Sequence, residues 1–183
     1  GRRDTQTVLC DITDGRAAQD KREYRVLLEN LIVDLSTRFI GMDAGITDRR
    51  IEEALGRIGP FVGADRSYVF LFDNDAETLS NTHEWCGPGI PSHRDQIKNV
   101  PQERFAWLMD RLRTESAVHV PDVDDLPPEA EALRAVLHAQ SVQSLVLVPM
   151  SNGRRLIGFA GFDAVETPRT WESETIMLLR VLG

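Results

Sequence analysis

The richest group of chemically capable side chains runs from His83 to Cys86, in the order His-Glu-Trp-Cys, with His93 beyond it. Imidazole, carboxylate and thiolate are all zinc ligands, but a zinc site needs three or four of them converging on one point. A strand end that leads into a loop rich in proline and glycine does not bring them together by itself. We therefore expect no metal site here.

Cys86 could also serve as a redox thiol. A reactive thiol needs a neighbour that lowers its pKa, and a cycling thiol needs a resolving partner. The chain has one other cysteine, Cys10, which lies far away in the sequence. No phosphate-binding glycine loop, nucleophile elbow or H-E-x-x-H motif occurs either. We therefore predict no catalytic residue, no disulfide framework and a reducing compartment.

Binding is the chemistry that these residues favour. In a strand, His83 and Trp85 point to one face and Glu84 to the other, so the first two are expected to wall one side of a pocket or to plug it. Phe105 belongs to the apolar stripe of a later helix. Trp107 is out of step with that stripe, so it either packs under the preceding loop or lines the pocket mouth.

Small residues mark a second side of the expected pocket. Gly158 and Ala160 share one face of a strand with Phe162 and leave room above the sheet, either for a close-packed helix or for a ligand. A cavity of roughly 300 Å³ or more would favour the ligand. The candidate ligand-binding residues are His83, Trp85, Cys86, Phe105, Trp107, Gly158 and Ala160, and the identity of any cofactor is unknown.

A hairpin organises the elements that must position these residues. Two apolar runs, 144–150 and 155–163, flank Asn152-Gly153, which is a strong signal for a two-residue hairpin turn of type I′. In the first run Leu145 and Leu147 point one way, and Val146, Val148 and Met150 point the other. A strand that is apolar on both faces must be covered on both sides, so it is central in a layered domain.

The rest of the chain alternates helical and extended patterns. The predicted elements are a long helix from about Arg16 to Ile40, a helix capped by Thr47 with the buried stripe Ile51, Leu55 and Ile58, strands at 66–72 and 78–85, a loop at 86–100, a helix at 101–113, a strand at 117–120, a helix at 129–139, the hairpin, and a final helix after Thr170.

Composition limits the possible partners. The chain has 183 residues and a net charge of −8, which suits one domain with an appendage and argues against binding to nucleic acid or to an anionic membrane. Its apolar runs are too short to span a bilayer, and its N-terminus lacks a signal-peptide core. We expect no membrane insertion of this chain and a cytoplasmic location.

The first and last helices carry surplus apolar surface. Tyr24, Leu28, Leu31 and Leu35 recur at heptad-like spacing, and residues 176–182 are apolar almost all round. A helix that lies on a sheet buries only one stripe, so the remainder requires another partner. We predict a homodimer through these two helices.

Several stretches of the chain resemble one subset of bacterial signalling GAF domains. They are Asn81–Ile90, Val118–Ala130, Ser144–Pro149 and Arg155–Asp163, together with Trp171. Asp11-Ile12-Thr13, followed by a charged helix, looks like the closing strand and exit of a PAS domain. The resemblance implies a tail strand and linker of a PAS domain at 1–19, a GAF domain at 20–183, and a cytoplasmic multidomain parent with an output domain downstream.

This resemblance also implies a fold and a function. The fold is α+β, with a central antiparallel sheet of about six strands, helices on both faces and a long N-terminal signalling helix. The function is a sensory domain, not an enzyme, that binds a small molecule of unknown identity and relays a change through its terminal helices. The alternative is a ligand-free module for dimerisation and signal relay. The chain lacks the residue set of the cyclic-nucleotide-binding GAF domains and the Cys-His pair of the bilin-attaching ones.

Overall fold

The computed structural model describes residues 44–73 and 77–182, together with the helical positions 22, 26 and 30. The predicted strand at 5–12, the seam of the predicted dimer and most of the predicted first helix lie outside the described residues. The statements below concern the described part of the chain.

Six antiparallel strands form one sheet. They are β1 (Arg66–Phe72), β2 (Thr78–Cys86), β3 (Val100–Pro101), β4 (Val118–Val120), β5 (Ser144–Asn152) and β6 (Arg155–Ala164), in the spatial order β3-β2-β1-β6-β5-β4. β1 and β6, which are distant in sequence, pair at the centre of the sheet. The predicted α+β architecture with a central antiparallel sheet is confirmed.

Four helices cover the sheet. They are α1 (Ala44–Phe61), α2 (Ala106–Thr114), α3 (Glu131–Ala139) and α4 (Ser173–Leu179), and short 3-10 turns adjoin the last three. The prediction that Thr47 caps α1 is wrong, because the helix already begins at Ala44. α1 continues through Gly59 and Pro60 to Phe61. Among the described residues no helix is both long and apolar enough to cross a membrane.

The hairpin between β5 and β6 exists, but its turn is displaced by one residue. Asn152 pairs with Arg155, so the two turn residues are Gly153 and Arg154. Gly153 has a φ of 63° and Asn152 does not have a positive φ. A positive φ at the first turn residue alone is the pattern of a type II′ turn, in which glycine occupies that place. The predicted type I′ turn at Asn152-Gly153 is therefore wrong.

A short edge strand lies where the sequence predicted a loop end and a helix start. In β3, Val100 and Pro101 pair with Leu79 and Thr78 of β2. Proline lacks a donor for the strand ladder, so an edge is the place where a sheet accepts it. The helix predicted from Pro101 is instead a 3-10 turn at Gln102–Phe105 that leads into α2.

Each face of the sheet has its own apolar cluster. On the first, which we call the helix face, Ile51, Leu55 and Ile58 of α1 are fully buried against strand residues such as Val148 and Phe162. This confirms the predicted stripe of α1.

The opposite face, which we call the cavity face, is covered by shorter elements. Leu108 and Leu112 of α2 and Leu133 and Leu137 of α3 are buried there. Leu145 and Leu147 belong to the same cluster, while Val146, Val148 and Met150 lie on the helix face, as the alternation of β5 predicts.

Candidate functional site

A cavity of about 280 Å³ lies between the cavity face, α2, α3 and the loop after β2. Leucines of β5 and α3, together with Phe159, form one apolar side. Arg66 of β1, Asn81 and Glu84 of β2 and His93 of the loop form a polar side. The cavity therefore has one polar wall and one apolar wall, which suits an amphipathic small molecule.

A buried ion pair anchors one end of the polar wall. Nε and Nη2 of Arg66 donate to Oδ2 of Asp163 at 3.2 and 2.7 Å, and Nη2 also donates to Oε1 of Gln140 at 2.9 Å. Tyr68 donates its hydroxyl to Oδ1 of Asp163 at 2.9 Å. Arg66 and Asp163 are each 1% exposed, so both charges depend on these contacts.

Burial controls the protonation of this network. It raises the pKa of the Asp163 carboxyl, while the Arg66 guanidinium and the Tyr68 hydroxyl act in the opposite direction. Burial, followed by the charge of Asp163, raises the pKa of Tyr68 well above its ordinary value. Tyr68 therefore remains a hydroxyl donor at neutral pH.

Glu84 ties the loop after β2 to the sheet. Its Oε2 accepts hydrogen bonds from Ser92 Oγ at 2.5 Å and from the backbone N–H groups of His93 and Arg94 at 2.9 and 3.1 Å. Its Oε1 accepts from Nδ2 of Asn81 at 3.1 Å. A carboxylate that collects several donors in this way fixes the loop that closes the cavity mouth.

Three polar atoms of the cavity wall are buried and have no hydrogen-bond partner among the described residues. They are Nη1 of Arg66, Oδ1 of Asn81 and Nε2 of His93. Buried polar groups in native proteins nearly always have partners, and an unsatisfied group costs about 1–3 kcal/mol. Their concentration around one cavity indicates that something else satisfies them.

Three of the seven candidate residues lie on or near the cavity face. Phe105 is buried and lines the cavity. Trp107 is half-buried against the same apolar cluster, with the Arg111 guanidinium 5.3 Å from its ring, but it does not line the cavity. Cys86 is a half-buried free thiol at the end of β2, and its Sγ lies 3.7 Å from the carbonyl oxygen of Pro91.

The other four candidates lie on the helix face, so their predicted place in the pocket is corrected. His83 and Trp85 do share a face, but the pairing of β2 with β1 sets them opposite Val69 and Ser67, on the helix face. Gly158 and Ala160 belong to that face as well. The space that these small residues leave is filled by packing of the helix face. That any of the seven residues binds a ligand stays a prediction.

Contacts with α1 explain why His83 and Trp85 are unavailable to the cavity. Nε2 of His83 lies 3.2 Å from Oδ1 of Asp48. The Trp85 indole lies so close to α1 that a Cβ on Gly56 or Gly59 would come within 2.9 or 2.8 Å of it. These two glycines let the helix approach the ring.

Sequence reasoning missed the polar wall. Arg66, Tyr68 and Asp163 come together only because β1 pairs with β6 across 97 residues of chain. A signal was available, since a charged residue at an inward position of a predicted strand needs a buried partner. Glu84 was correctly placed on the face opposite to His83, but the sequence did not reveal which face holds the cavity.

The sequence shows which family the chain belongs to. A profile of the GAF domain family matches residues 47–183. The chain belongs to the GAF domain family. The match extends over α1, the whole sheet and α4, and so it includes every residue of the cavity wall.

The chain is similar to a curated protein and to solved structures of GAF domains. The curated methanogenesis regulatory histidine kinase FilI of Methanothrix harundinacea is 32% identical over 138 residues, which are 73% of this chain and 15% of that protein. The phycocyanobilin-bound GAF domain of a cyanobacterial phytochrome superposes with a TM-score of 0.64 at 17% identity, over 85% of this chain and 88% of that one. The blue-light absorbing form of the PixJ GAF domain of Thermosynechococcus elongatus gives 0.60 at 20% identity, over 89% and 82%.

These relatives carry different weight. The two solved structures, at 17 and 20% identity, show a shared fold. The chain spans about 15% of the length of the curated histidine kinase.

Within residues 44–73 and 77–182, no group of three or more His, Cys, Asp or Glu side chains is arranged to hold a metal ion.

Proposed function

We propose that this GAF domain is a non-catalytic sensory module that binds a small molecule in the cavity between the sheet and α2 and α3. The observation that carries the proposal is the cavity of about 280 Å³ whose wall holds three buried polar atoms without partners among the described residues. The volume lies just below the range of about 300–1,000 Å³ that is usual for ligand pockets.

The relatives support the sensory part of this proposal. One is named as a regulatory histidine kinase and two others as light-absorbing or chromophore-bound GAF domains. By analogy we propose that the parent of this chain is a multidomain signal-transduction protein, with a PAS domain before residue 20 and an output domain downstream. Fold-level analogy makes this an expectation that needs its own test.

The loop after β2 provides a route for the signal. His93 and Gln96 of this loop line the cavity. The adjacent Arg94 reaches the other side of the sheet edge, where its Nη1 donates to Oε1 of Glu52 on α1 at 2.6 Å. We propose that a ligand which displaces the loop changes this contact and so shifts α1.

The thiol of Cys86 is poorly suited to catalysis. Burial, and then the nearby Glu84 carboxylate, raise the pKa of Cys86 from 9.0 to about 11. The thiolate is the reactive form, so at neutral pH this side chain stays an unreactive thiol. We therefore propose no catalytic role for Cys86.

Cavity filling tests the proposed function. Leu108→Phe adds volume on α2 where Leu108 lines the cavity. We expect native mass spectrometry of the chain purified without added ligand, followed by thermal-shift screening of a diverse fragment set, to identify binders that Leu108→Phe no longer holds. Leu112→Phe is the matched control, since Leu112 is equally buried on the same helix but does not line the cavity. Equal binding by both folded variants would contradict the proposal.

A dimerisation and relay module without a ligand is the second candidate. The observation in its favour is that Met177 of α4 is 63% exposed. We propose a homodimer in either case, through the first and last helices. Sedimentation of the chain and of a Leu28→Glu, Leu31→Glu variant tests it, and a monomeric unmodified chain at high concentration would remove this candidate.

A further inference from the structure

We propose that the ligand is an uncharged, flat molecule of one or two rings that carries a hydrogen-bond acceptor at one end and a hydrogen-bond donor at the other. This inference rests on the proposed function, because it concerns the same cavity. It follows from the two polar atoms of the cavity wall that are most deeply buried without a partner, and from the shape and charge of what surrounds them.

The first atom requires an acceptor. Arg66 is 1% exposed, and its Nε and Nη2 are occupied by Asp163 and Gln140. Its Nη1 has no partner among the described residues. A guanidinium nitrogen can only donate, so a carbonyl, ring nitrogen or hydroxyl oxygen of the ligand must face it.

The second atom requires a donor. Asn81 is 1% exposed, and its Nδ2 donates to Oε1 of Glu84. An ionised carboxylate only accepts, so this contact fixes which end of the amide faces Glu84. Oδ1 of Asn81 is then left as a buried acceptor, without a partner among the described residues. An N–H or O–H group of the ligand satisfies it.

Arg66 and Asn81 enter the cavity wall from separate backbone positions. Asn81 pairs with Phe70, and Phe70 is four residues from Arg66 on β1. Side chains at i and i+4 of a strand share a face, and their Cα atoms are about 13 Å apart at 3.3 Å per residue. The proposed ligand therefore carries its acceptor and its donor on different edges.

The other residues of the cavity wall determine the size and shape of the central part of the ligand. Phe70 and Phe159 stack with ring centroids 4.9 Å apart and an interplanar angle of 7°, and both line the cavity, together with Leu145 and Leu147. Flat aromatic neighbours and a cavity of about 280 Å³ fit a body of one or two rings.

The charges favour a neutral ligand. The Arg66 charge is already neutralised by Asp163 at 2.7 Å, and the oxygens of Glu84 are engaged with the loop and with Asn81. An anion in the buried part of the cavity would meet the Asn81 oxygen and Glu84. Arg104 also lines the cavity, but it is exposed to solvent and so would not balance a charge buried beside these two groups. Burying an unpaired charge is far more costly than burying a neutral hydrogen-bonded group.

Four matched compounds test this inference on the wild-type chain by isothermal calorimetry. 6-Hydroxyquinoline carries a ring-nitrogen acceptor and a hydroxyl donor at opposite ends. 6-Methoxyquinoline lacks the donor, 2-naphthol lacks the nitrogen, and 6-hydroxy-2-naphthoate carries a negative charge in place of the nitrogen. We expect 6-hydroxyquinoline to bind at least tenfold more tightly than each of the others.

Two variants test whether Asn81 is the residue that accepts the hydrogen bond from the ligand. Asn81→Leu removes the buried acceptor, and the preference for 6-hydroxyquinoline over 6-methoxyquinoline should disappear. Ser80→Ala alters the neighbouring residue of β2, which does not line the cavity, and should retain that preference. The comparison of compounds on the wild-type chain stands even if Asn81→Leu fails to fold.

The outcomes separate this inference from the proposed function. Equal affinity for all four compounds, tighter binding of the naphthoate, or no binding of 6-hydroxyquinoline overturns the ligand class. If another fragment then binds and Leu108→Phe abolishes its binding, the cavity is still a ligand site. If no fragment binds, the proposed function fails as well.

Discussion

The two faces of the sheet differ in how closely they are packed. On the helix face, Leu55, Ile58 and Phe162 are fully buried, and the Trp85 ring lies against Gly56 and Gly59 of α1. On the cavity face, about 280 Å³ remain open beside a buried ion pair. Both faces belong to the same six strands, so the strands alone do not determine which side holds a cavity.

The difference comes from the covering elements. α1 has 18 residues and lies along the sheet, whereas α2 and α3 have nine residues each and are joined by loops and 3-10 turns. The cavity lies where α2, α3 and the loop after β2 meet over the sheet. The closely packed helix face therefore contributes mainly to stability. The cavity face retains buried polar groups, which a fully apolar core would not contain.

Two phenylalanines on the same strand test the comparison most strongly. Phe162→Ala on the helix face should lower the free energy of unfolding by about 3–5 kcal/mol, because the site is fully packed. Phe159→Ala should cost less, roughly 1–3 kcal/mol, because its ring already borders the cavity. Urea unfolding measures both values, and equal losses would show that the two faces are packed alike.

Glu84→Gln tests how the cavity face is closed. The amide offers one acceptor oxygen in place of two and turns an N–H group towards other donors, so His93 and Arg94 lose backbone contacts. We expect a loss of about 1–2 kcal/mol and faster hydrogen exchange at these two amides. Glu103→Gln, which changes an exposed glutamate before α2, is the control. Unchanged exchange in Glu84→Gln would mean that other contacts hold the loop.

The smallest effect on stability is expected at His119, which lies on the helix face. Its Nε2 accepts the backbone N–H of Trp171 at 3.4 Å, and burial lowers the pKa of His119 from 6.5. A neutral ring is needed for this bond, so its stabilisation is complete above about pH 6.5 and is lost as the pH falls through the lowered pKa.

The expected effect of His119 is about 0.5 kcal/mol between pH 7.5 and pH 5, in the direction of lower stability in acid. His119→Gln retains an acceptor that does not titrate in this range, so the difference in pH dependence between the two proteins isolates the ring. If the variant and the wild-type chain show the same slope of stability against pH, the His119 bond does not contribute.

Local patterns in the sequence determined most of the elements. The alternation in β5 and the stripe of α1 were predicted and are buried as expected. The antiparallel sheet and the family followed from their order and from the motif stretches. These features depend on periods of 2 and 3.6 residues and on turn residues, which are local properties of the chain.

The tertiary structure alone decided which face holds the cavity. The sequence showed that His83 and Trp85 share a face and that Glu84 takes the other, but the pairing of β2 with β1 assigned the first two to α1. The pairing of β1 with β6 likewise brought Arg66 to Asp163. Strand alternation divides side chains between two faces without saying what covers each face, because the covering helices come from distant parts of the chain.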